Sequence, residues 1–469
     1  MSRPKKTAEP AVKVSKPEKI QAARGVHDFL PEDHAYFTLI KKVVRHRARQ
    51  AGFRRISTPI LEEKALFVRG VGGDTDIVEK ELYALTTAGG SELALKPEGT
   101  AGVVRSFIQH GMGSLPQPVE LYYIEPHFRH DRPQKGRFRQ FHQFGFEVLG
   151  ESDPAVDAQI IQIAQLIFQD LKIADRLSLQ INTIGSLEDR AKYLEILKDY
   201  YAGKERNLCE SCQKRLGTNP LRLLDCKSED CQILAGMAPK LSAHISKEAK
   251  EHYEKVKELL KILDIKYTEN GGLVRGLDYY AHTVFEFWDA STGAQNAVGG
   301  GGRYDGLVEQ LGGTPTPACG FAGGIERVIA HMKEARLEVP DKDHVQIFVA
   351  QLGWEAKKEA TKILTELREH GVHAMGALGT ASMKAQLGKA DKFGVDYALI
   401  LGEVEVREGR AIIRDMAVGK QEILSLKDAL PELLKKIGED NLDFYDPSDD
   451  ITETPRDPAD ELLIEDDEE

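Results

Sequence analysis

The apolar positions of residues 34–51 (HAYFTLIKKVVRHRARQA) recur at helical spacing and predict an amphipathic helix. GFRRISTPIL follows as a β-rich segment ended by Pro59. Residues 119–130 (VELYYIEPHFRH) and 138–149 (FRQFHQFGFEVL) are again β-rich and flank the polar DRPQKGR, as the arms of a long hairpin would. A helical period returns over 155–172, and 187–261 is helix-rich and charged. From 273 the pattern is strand and glycine: LVRGLDYYAHTVFEFW, NAVGGGGRYDGL, ACGFAGGIERVIAHM. Near 336–344 charge and proline replace the apolar pattern, which marks a boundary. Beyond it come a strand (VQIFVAQLG), a helix at 355–370, a strand (VHAMGAL) and a helix at 380–393. DYALILG and REGRAIIRDM follow as strands, and 426–437 as a short helix. This alternation predicts a separate α/β domain of about 95 residues.

A length of 469 residues predicts two or three domains, and 41% hydrophobic with 29% charged residues describes an ordinary globular chain. No run approaches the ~20 apolar residues of a membrane helix. The N-terminus lacks the apolar stretch of a secretory signal, so a cytoplasmic location and no membrane partner are expected. The net charge of -12 argues at first against a nucleic-acid partner. Its distribution removes the objection. Residues 1–20 carry +4 and residues 439–469 carry -14, which leaves about -2 between them. Both ends have the composition of disordered segments: a basic extension at 1–20 and an acidic tail at 439–469.

The richest stretch for chemistry is FRHDRPQKGRFRQFHQFGFE, residues 128–147. A strand–loop–strand path brings Arg129 near the return strand, and the loop adds Arg132, Lys135, Arg137 and Arg139. Guanidinium forks suit phosphate oxygens, being planar, bidentate and always charged. The segment resembles motif 2 of class II aminoacyl-tRNA synthetases, in the form found in histidyl-tRNA synthetases. LKPEGTAGVVR (95–105), RGLDYYAHTVFE (275–286), GGRYDGL (301–307) and GFAGGIERV (320–328) resemble further signature segments of that family, in family order. The resemblance spans roughly residues 20–435.

The resemblance implies an α+β fold with a catalytic domain at 21–336. Its antiparallel sheet would be flanked by helices, with a helical insertion at about 187–261. A separate anticodon-binding α/β domain would occupy 343–438. It implies that the carboxylate of L-histidine attacks the α-phosphate of ATP, and that a ribose hydroxyl at the 3′ end of histidine tRNA takes the histidyl group. Arg129, Arg275 and Gln143 are the implied catalytic set. Arg129, Asp131, Arg137, Phe141, Arg275 and Arg327 would bind ATP, with Phe141 stacked on adenine and Arg327 on the γ-phosphate. Glu98, Thr100, Arg129, Gln143, Glu147, Arg275, Tyr279, Tyr280 and Tyr304 would bind histidine, with Glu98 and Thr100 on its amino group and Glu147 and Tyr280 on its imidazole. PEGT also suits a turn or a helix cap. The glycines at 299–302 suit a pocket floor or a tight sheet turn. Arg132 and Gln134 in the loop would meet tRNA, or else stand in solvent. Mg²⁺ would accompany ATP, and motif 1 at 34–62 implies a homodimer. Asp131 and Lys96 depart from the family, which more often has Glu and Arg at these positions.

Cys209-x2-Cys212-x13-Cys226-x4-Cys231 has nearly the spacing of a four-thiolate Zn²⁺ site, away from the reaction centre. The family does not require one, and four reduced, packed cysteines fit the sequence equally. Cys319 reads as a small core residue. His127, His130 and His142 read as polar lining of the tRNA and ATP face. Lys384, Lys389 and Lys392 suit either RNA contact or a solvated helix face. Two rivals remain. A synthetase-like regulatory subunit of histidine biosynthesis would lack the C-terminal domain and erode the ATP arginines. A non-catalytic zinc and RNA-binding module would leave PEGT and RGLDYY unexplained.

Overall fold

The computed structural model describes residues 19–73, 75, 77–132, 136–224, 226, 228–291, 297–339, 344–376, 379 and 381–444. Residues 1–18 of the basic extension, 445–469 of the acidic tail, and Gln134 and Lys135 of the motif 2 loop lie outside them. The chain divides into two compact units, one ending at Val339 and one starting at Pro340.

The first helix, Pro31–Gln50, opens on proline, carries Glu32 and Asp33 in its first turn and Arg47 and Arg49 in its last. Each suits the backbone dipole at its end. Its buried residues Ile40, Val44 and Ala48 are spaced four apart and form its inner stripe. It packs on an eight-stranded sheet ordered Arg54–Arg55, Val119–Phe128, Gln140–Leu149, Ala318–Gly324, Gly299–Arg303, Ala281–Asp289, Leu177–Thr183, Thr268–Glu269. The six central strands pair antiparallel, and each outermost strand pairs parallel with its neighbour. The hairpin is long and in register, from Val119 opposite Leu149 to Phe128 opposite Gln140.

Alternation along these strands sorts side chains to two faces. One face presents Phe144, Phe146, Phe285, Phe287 and Phe321 to the helices Pro31–Gln50, Pro154–Asp170, Lys247–Ile262 and Ile325–Glu334. On the other face, Gly145, Ala322 and Gly300 stand in register at the centre, with Gly320 two residues along and opposite Glu147. There they leave room that larger residues would fill. The glycine run is therefore a strand rather than a turn.

Helices Leu187–Tyr201, Glu210–Thr218, Glu229–Gly236 and Lys247–Ile262 lie between the strands Leu177–Thr183 and Thr268–Glu269. The last of them returns to the main core through Tyr253, Val256 and Leu260. A small sheet ordered Leu61–Glu63, Glu92–Leu95, Ala84–Thr86 was not foreseen from sequence, nor was the extra strand Gln421–Ser425 in the second unit. That unit has five strands ordered Ala374–Gly376, Ile347–Leu352, Tyr397–Gly402, Arg410–Asp415, Gln421–Ser425. The first three are parallel, the last two antiparallel to their neighbours.

One charged pair sits inside the main core. Arg303 Nε lies 2.7 Å from Asp157 Oδ1, and both side chains are essentially inaccessible. Asp157 Oδ2 accepts from Thr283 Oγ1 at 2.8 Å and faces His252 Nε2 at 2.7 Å. Arg303 also donates to the carbonyls of Glu151 and Asp153 just before the helix Pro154–Asp170. The network ties that helix to the end of the glycine strand. Removing one member strands a buried charge. Arg303→Ala is expected to destabilise the first unit by about 3–5 kcal/mol, read as a lower urea midpoint. A loss below about 1 kcal/mol would show that the pair does not hold the strand.

Candidate active site

The PEGT loop enters the helix Thr100–Gln109, and Glu98 caps it. Its Oε2 accepts from the Thr100 N–H at 2.7 Å and its Oε1 from the Ala101 N–H at 2.8 Å. The capping role is thus real, and it fixes Glu98 beside Tyr279, whose hydroxyl lies 3.3 Å away. Burial pushes the Glu98 carboxyl upward, against the pull of those two amides and of Arg129.

Arg129 follows directly on the strand Val119–Phe128. Its Nε donates to the Pro97 carbonyl at 2.8 Å, and its guanidinium stands 5.4 Å from the centre of the Phe141 ring. Arg275 reaches the same region from the segment before the strand Ala281–Asp289. It pairs with Glu286 and lies over Tyr280, 5.4 Å from the ring centre. A Cβ at Gly300 would meet Arg275 Nη1 at 2.6 Å, so the missing side chain there is what admits the guanidinium. Glu286 is itself held by the Trp288 indole N–H at 2.6 Å. Burial works against the charge of Arg275, but Glu286 and then Tyr280 hold its pKa above the ordinary value.

Arg327 sits in the first turn of the helix Ile325–Glu334 and donates to the carbonyls of Gly136 and Ala297. Burial, then Arg137 and Arg129, push its pKa down to about 10. Its neighbour Glu326 accepts from the His142 N–H at 2.8 Å and lies 2.9 Å from His142 Nδ1, which fastens the helix to the hairpin. Arg137 pairs with Asp131 at 3.1 Å.

A cavity of about 1170 Å³ is lined by Arg129, Asp131, Arg137, Phe141, Gln143, Arg275, Glu286 and Arg327. A recess of about 50 Å³ is lined by Glu98, Thr100, Tyr279, Tyr280 and Tyr304, and again by Arg129, Gln143 and Arg275. These last three therefore stand where the two compartments meet. Gln143 Oε1 is buried without a hydrogen-bond partner among the described residues, as expected of an atom awaiting a ligand.

Glu147 shares a strand face with Gln143 but lies behind the recess rather than on its wall. Its Oε1 accepts from Thr100 Oγ1 at 2.8 Å and its Oε2 from the Tyr304 hydroxyl at 2.6 Å. A Cβ at Gly320 would fall 1.7 Å from Oε2, so that glycine makes space for the carboxylate. Burial raises the Glu147 pKa to about 8, against the hydroxyls of Tyr304 and Thr100.

Other residues fall elsewhere. Arg132 is exposed and outside both compartments. His127 is fully buried and lines neither, so it is not part of the ATP face as its sequence position suggested. Burial, then Lys96 and Arg129, hold its pKa well down. Lys96 is buried in an ion pair with Glu125 and donates to the Thr58 carbonyl at 3.0 Å, which makes it a structural residue. Sequence reading passed over Glu286 and Trp288. The available signal was their spacing two apart on a strand that follows Arg275. The four clustered cysteines bring one Sγ each to within 4.8 Å of all the others.

Residues 25–328 match the family model described as histidyl-tRNA synthetase, and residues 346–436 match the one described as anticodon binding domain. A protein of Dehalococcoides mccartyi named histidine–tRNA ligase is 45% identical over 417 residues, 89% of this chain and 100% of that protein. One of the same name from Acetivibrio thermocellus is 43% identical, covering 88% of this chain and 99% of that protein. The crystal structure of apo S. aureus histidyl-tRNA synthetase superposes with a TM-score of 0.73 at 33% identity, covering 88% of this chain and 100% of that one. With its hairpin, arginines and C-terminal unit, this chain belongs to the histidyl-tRNA synthetase family.

Proposed function

We infer that the chain is a histidine–tRNA ligase. It joins L-histidine to ATP as histidyl-adenylate, releasing pyrophosphate, and passes the histidyl group to the 3′ end of its tRNA. The carrying observation is the placement of Arg129, Gln143 and Arg275 at the junction of a large arginine-lined cavity and a small tyrosine-lined recess. ATP fits the first and histidine the second, so the α-phosphate and the carboxylate meet at the junction.

In this reading, a carboxylate oxygen forms a bond to the α-phosphorus as the bond to the bridging oxygen of pyrophosphate breaks. Arg129 and Arg275 draw two anions together and stabilise the charge on the α-phosphate. Arg137 and Arg327 hold the terminal phosphates, and Phe141 offers its ring to adenine. Glu98 and Thr100 receive the histidine ammonium. Tyr280 and Tyr304 face the imidazole, with Glu147 acting through Tyr304 and Thr100. A divalent ion is part of the reaction. Asp131 is engaged by Arg137 and Glu286 by Arg275, which suits Mg²⁺ carried in by the phosphates of ATP rather than by a resident carboxylate cage. In the second step a ribose hydroxyl attacks the histidyl carbonyl and AMP leaves.

The catalytic domain in this proposal spans 21–336, with its insertion at 187–261, and the anticodon-binding domain spans 343–438. Arg132 and Gln134 remain candidates for tRNA contact. A homodimer built on the motif 1 region is supported by the exposed Ile60 and Leu61 at its end and the exposed Val68 and Leu85 in the elements that follow. A cytoplasmic place agrees with unpaired cysteines, and no helix of the described residues is long and apolar enough to cross a membrane. The regulatory-subunit reading is less supported, because Arg129, Arg275, Arg327 and the C-terminal unit are all retained.

Exchange of labelled pyrophosphate into ATP is expected with histidine and with no other amino acid. Arg275→Ala should lower it by about 10²–10³-fold. Unchanged exchange in that variant would remove Arg275 from the mechanism. Exchange absent from the folded parent would bring the regulatory subunit forward.

Glu147 gives a second test, in the absence of ligands. Its pKa is raised from 4.5 to about 8 in the fold, so the native state keeps a proton that the unfolded state releases. Its stabilising share is complete below about pH 4.5 and is lost as pH rises through about 8. The stability difference between parent and Glu147→Gln should therefore shift toward the variant across that window. A difference independent of pH would mean that Glu147 ionises normally.

A further inference from the structure

We propose that Cys209, Cys212, Cys226 and Cys231 bind one Zn²⁺ per chain as a tetrathiolate, and that this ion fixes one wall of the large cavity. The assignment rests on the geometry of the insertion and not on the reading of the chain as a ligase.

The four sulfurs lie within 4.8 Å of one another. Cys209 Sγ and Cys226 Sγ are 3.8 Å apart. A disulfide requires about 2.05 Å. A tetrahedron with Zn–S arms of about 2.3 Å has edges of about 3.8 Å. The sulfurs thus sit at the spacing of ligands around a shared ion, not of a bonded pair.

The backbone around them suits thiolates. Cys209 is the N-cap of the helix Glu210–Thr218, and Cys212 lies in its first turn. Cys231 lies in the first turn of the helix Glu229–Gly236. Both helices thus turn the positive ends of their backbones toward the cluster. The Cys209 N–H donates to Cys231 Sγ at 3.2 Å, a bond across the two hooks. Cys212 and Cys231 are fully inaccessible, Cys226 nearly so and Cys209 half-buried, so an ion there would be shielded from water on all but the cavity side.

The segment also needs a staple. Its helices have nine and eight residues, below the ~12–15 at which isolated helices become even marginally stable. Ile233 in the second helix and Met237 just after it are each 63% exposed, and Cys231 is the helix's one buried residue. Cys209 and Cys226, with Arg215 and Arg222 between them, line the same cavity as Arg129 and Arg327. A tetrathiolate would join the two hooks into a single rigid wall there. Binding releases four thiol protons and involves no redox change. Soft, tetrahedral sulfur ligation favours Zn²⁺ over the hard cations that accompany phosphates.

The test uses the full-length protein purified without chelator. Elemental analysis should give about one zinc per chain, released stoichiometrically by a mercurial thiol reagent. Protein grown with Co²⁺ should show the thiolate-to-metal charge-transfer bands of a tetrahedral sulfur site. Cys212→Ser and Cys231→Ser should each lower retained zinc at least tenfold. Strong chelation should expose residues 202–240 to protease before the rest of the first unit unfolds. Metal-free folded protein that takes up no Co²⁺ and whose cysteines all titrate as thiols would overturn the site. Stoichiometric iron in place of zinc would overturn the identity of the ion.

Discussion

The centre of the main sheet has to be full on one side and open on the other. Phenylalanines fill the helix-covered face, while Gly145, Ala322 and Gly300 stand in register on the opposite one, with Gly320 beside them on the same face. Strand pairing sets both arrangements at once, because a shift of one residue would exchange the faces. The vacated space is then used by particular groups. The Tyr123 ring lies where Gly145 would have a Cβ, Arg275 where Gly300 would, and the Glu147 carboxylate where Gly320 would. The site is thus a hollow in the middle of a sheet, walled by side chains from its rim.

Electrostatics divides the arginines into two kinds. Arg275 is matched by Glu286 and keeps its charge with ease. Arg129 and Arg327 both have lowered pKa values: burial lowers Arg129 against the pull of Glu81 and Glu98, and burial followed by the like charges of Arg137 and Arg129 lowers Arg327. A cluster of like charges held by carbonyl contacts to Pro97, Gly136 and Ala297 is an arrangement that a polyanion relieves. Preorganisation of this kind costs stability in the empty protein and lowers the reorganisation needed when charge builds up on phosphate. The buried Arg303–Asp157 pair has a different role, since each charge already faces its opposite within the core.

Much of this was legible in the chain itself. The hairpin and the first helix declare themselves because their periods run for ten residues or more, and the C-terminal unit does so through its alternation of strand and helix. Arg129, Arg275 and Gln143 were legible through their motifs, and the structure brings them to one junction. The small sheet was not legible, because Leu61–Glu63, Ala84–Thr86 and Glu92–Leu95 are too short and too exposed to show a period of two. Gln421–Ser425 has exposed alternate residues on an edge, and sequence gave no reason to end the preceding pattern with another strand. Glu147 read as a direct reader of imidazole, yet its hydrogen bonds run to Thr100 and Tyr304. Only three-dimensional contacts separate a wall residue from the one behind it. Lys96 stood out only as a departure from the family's arginine, and its burial against Glu125 was invisible without a partner strand.

Arg129, Gln143 and Arg275 belong to the walls of both compartments, and this has a thermodynamic consequence. Phosphate bound in the larger compartment neutralises and orders groups that also face the smaller one. The carboxylate of the amino acid then enters a site already arranged, but with less positive charge to greet it. The two effects have opposite signs, and their balance sets whether each substrate helps or hinders the other. Reciprocity requires the same factor in both directions. Wherever the two effects do not cancel, an inhibitor that fills only one compartment has no single affinity for this protein; it has a range, set by how full the other compartment is.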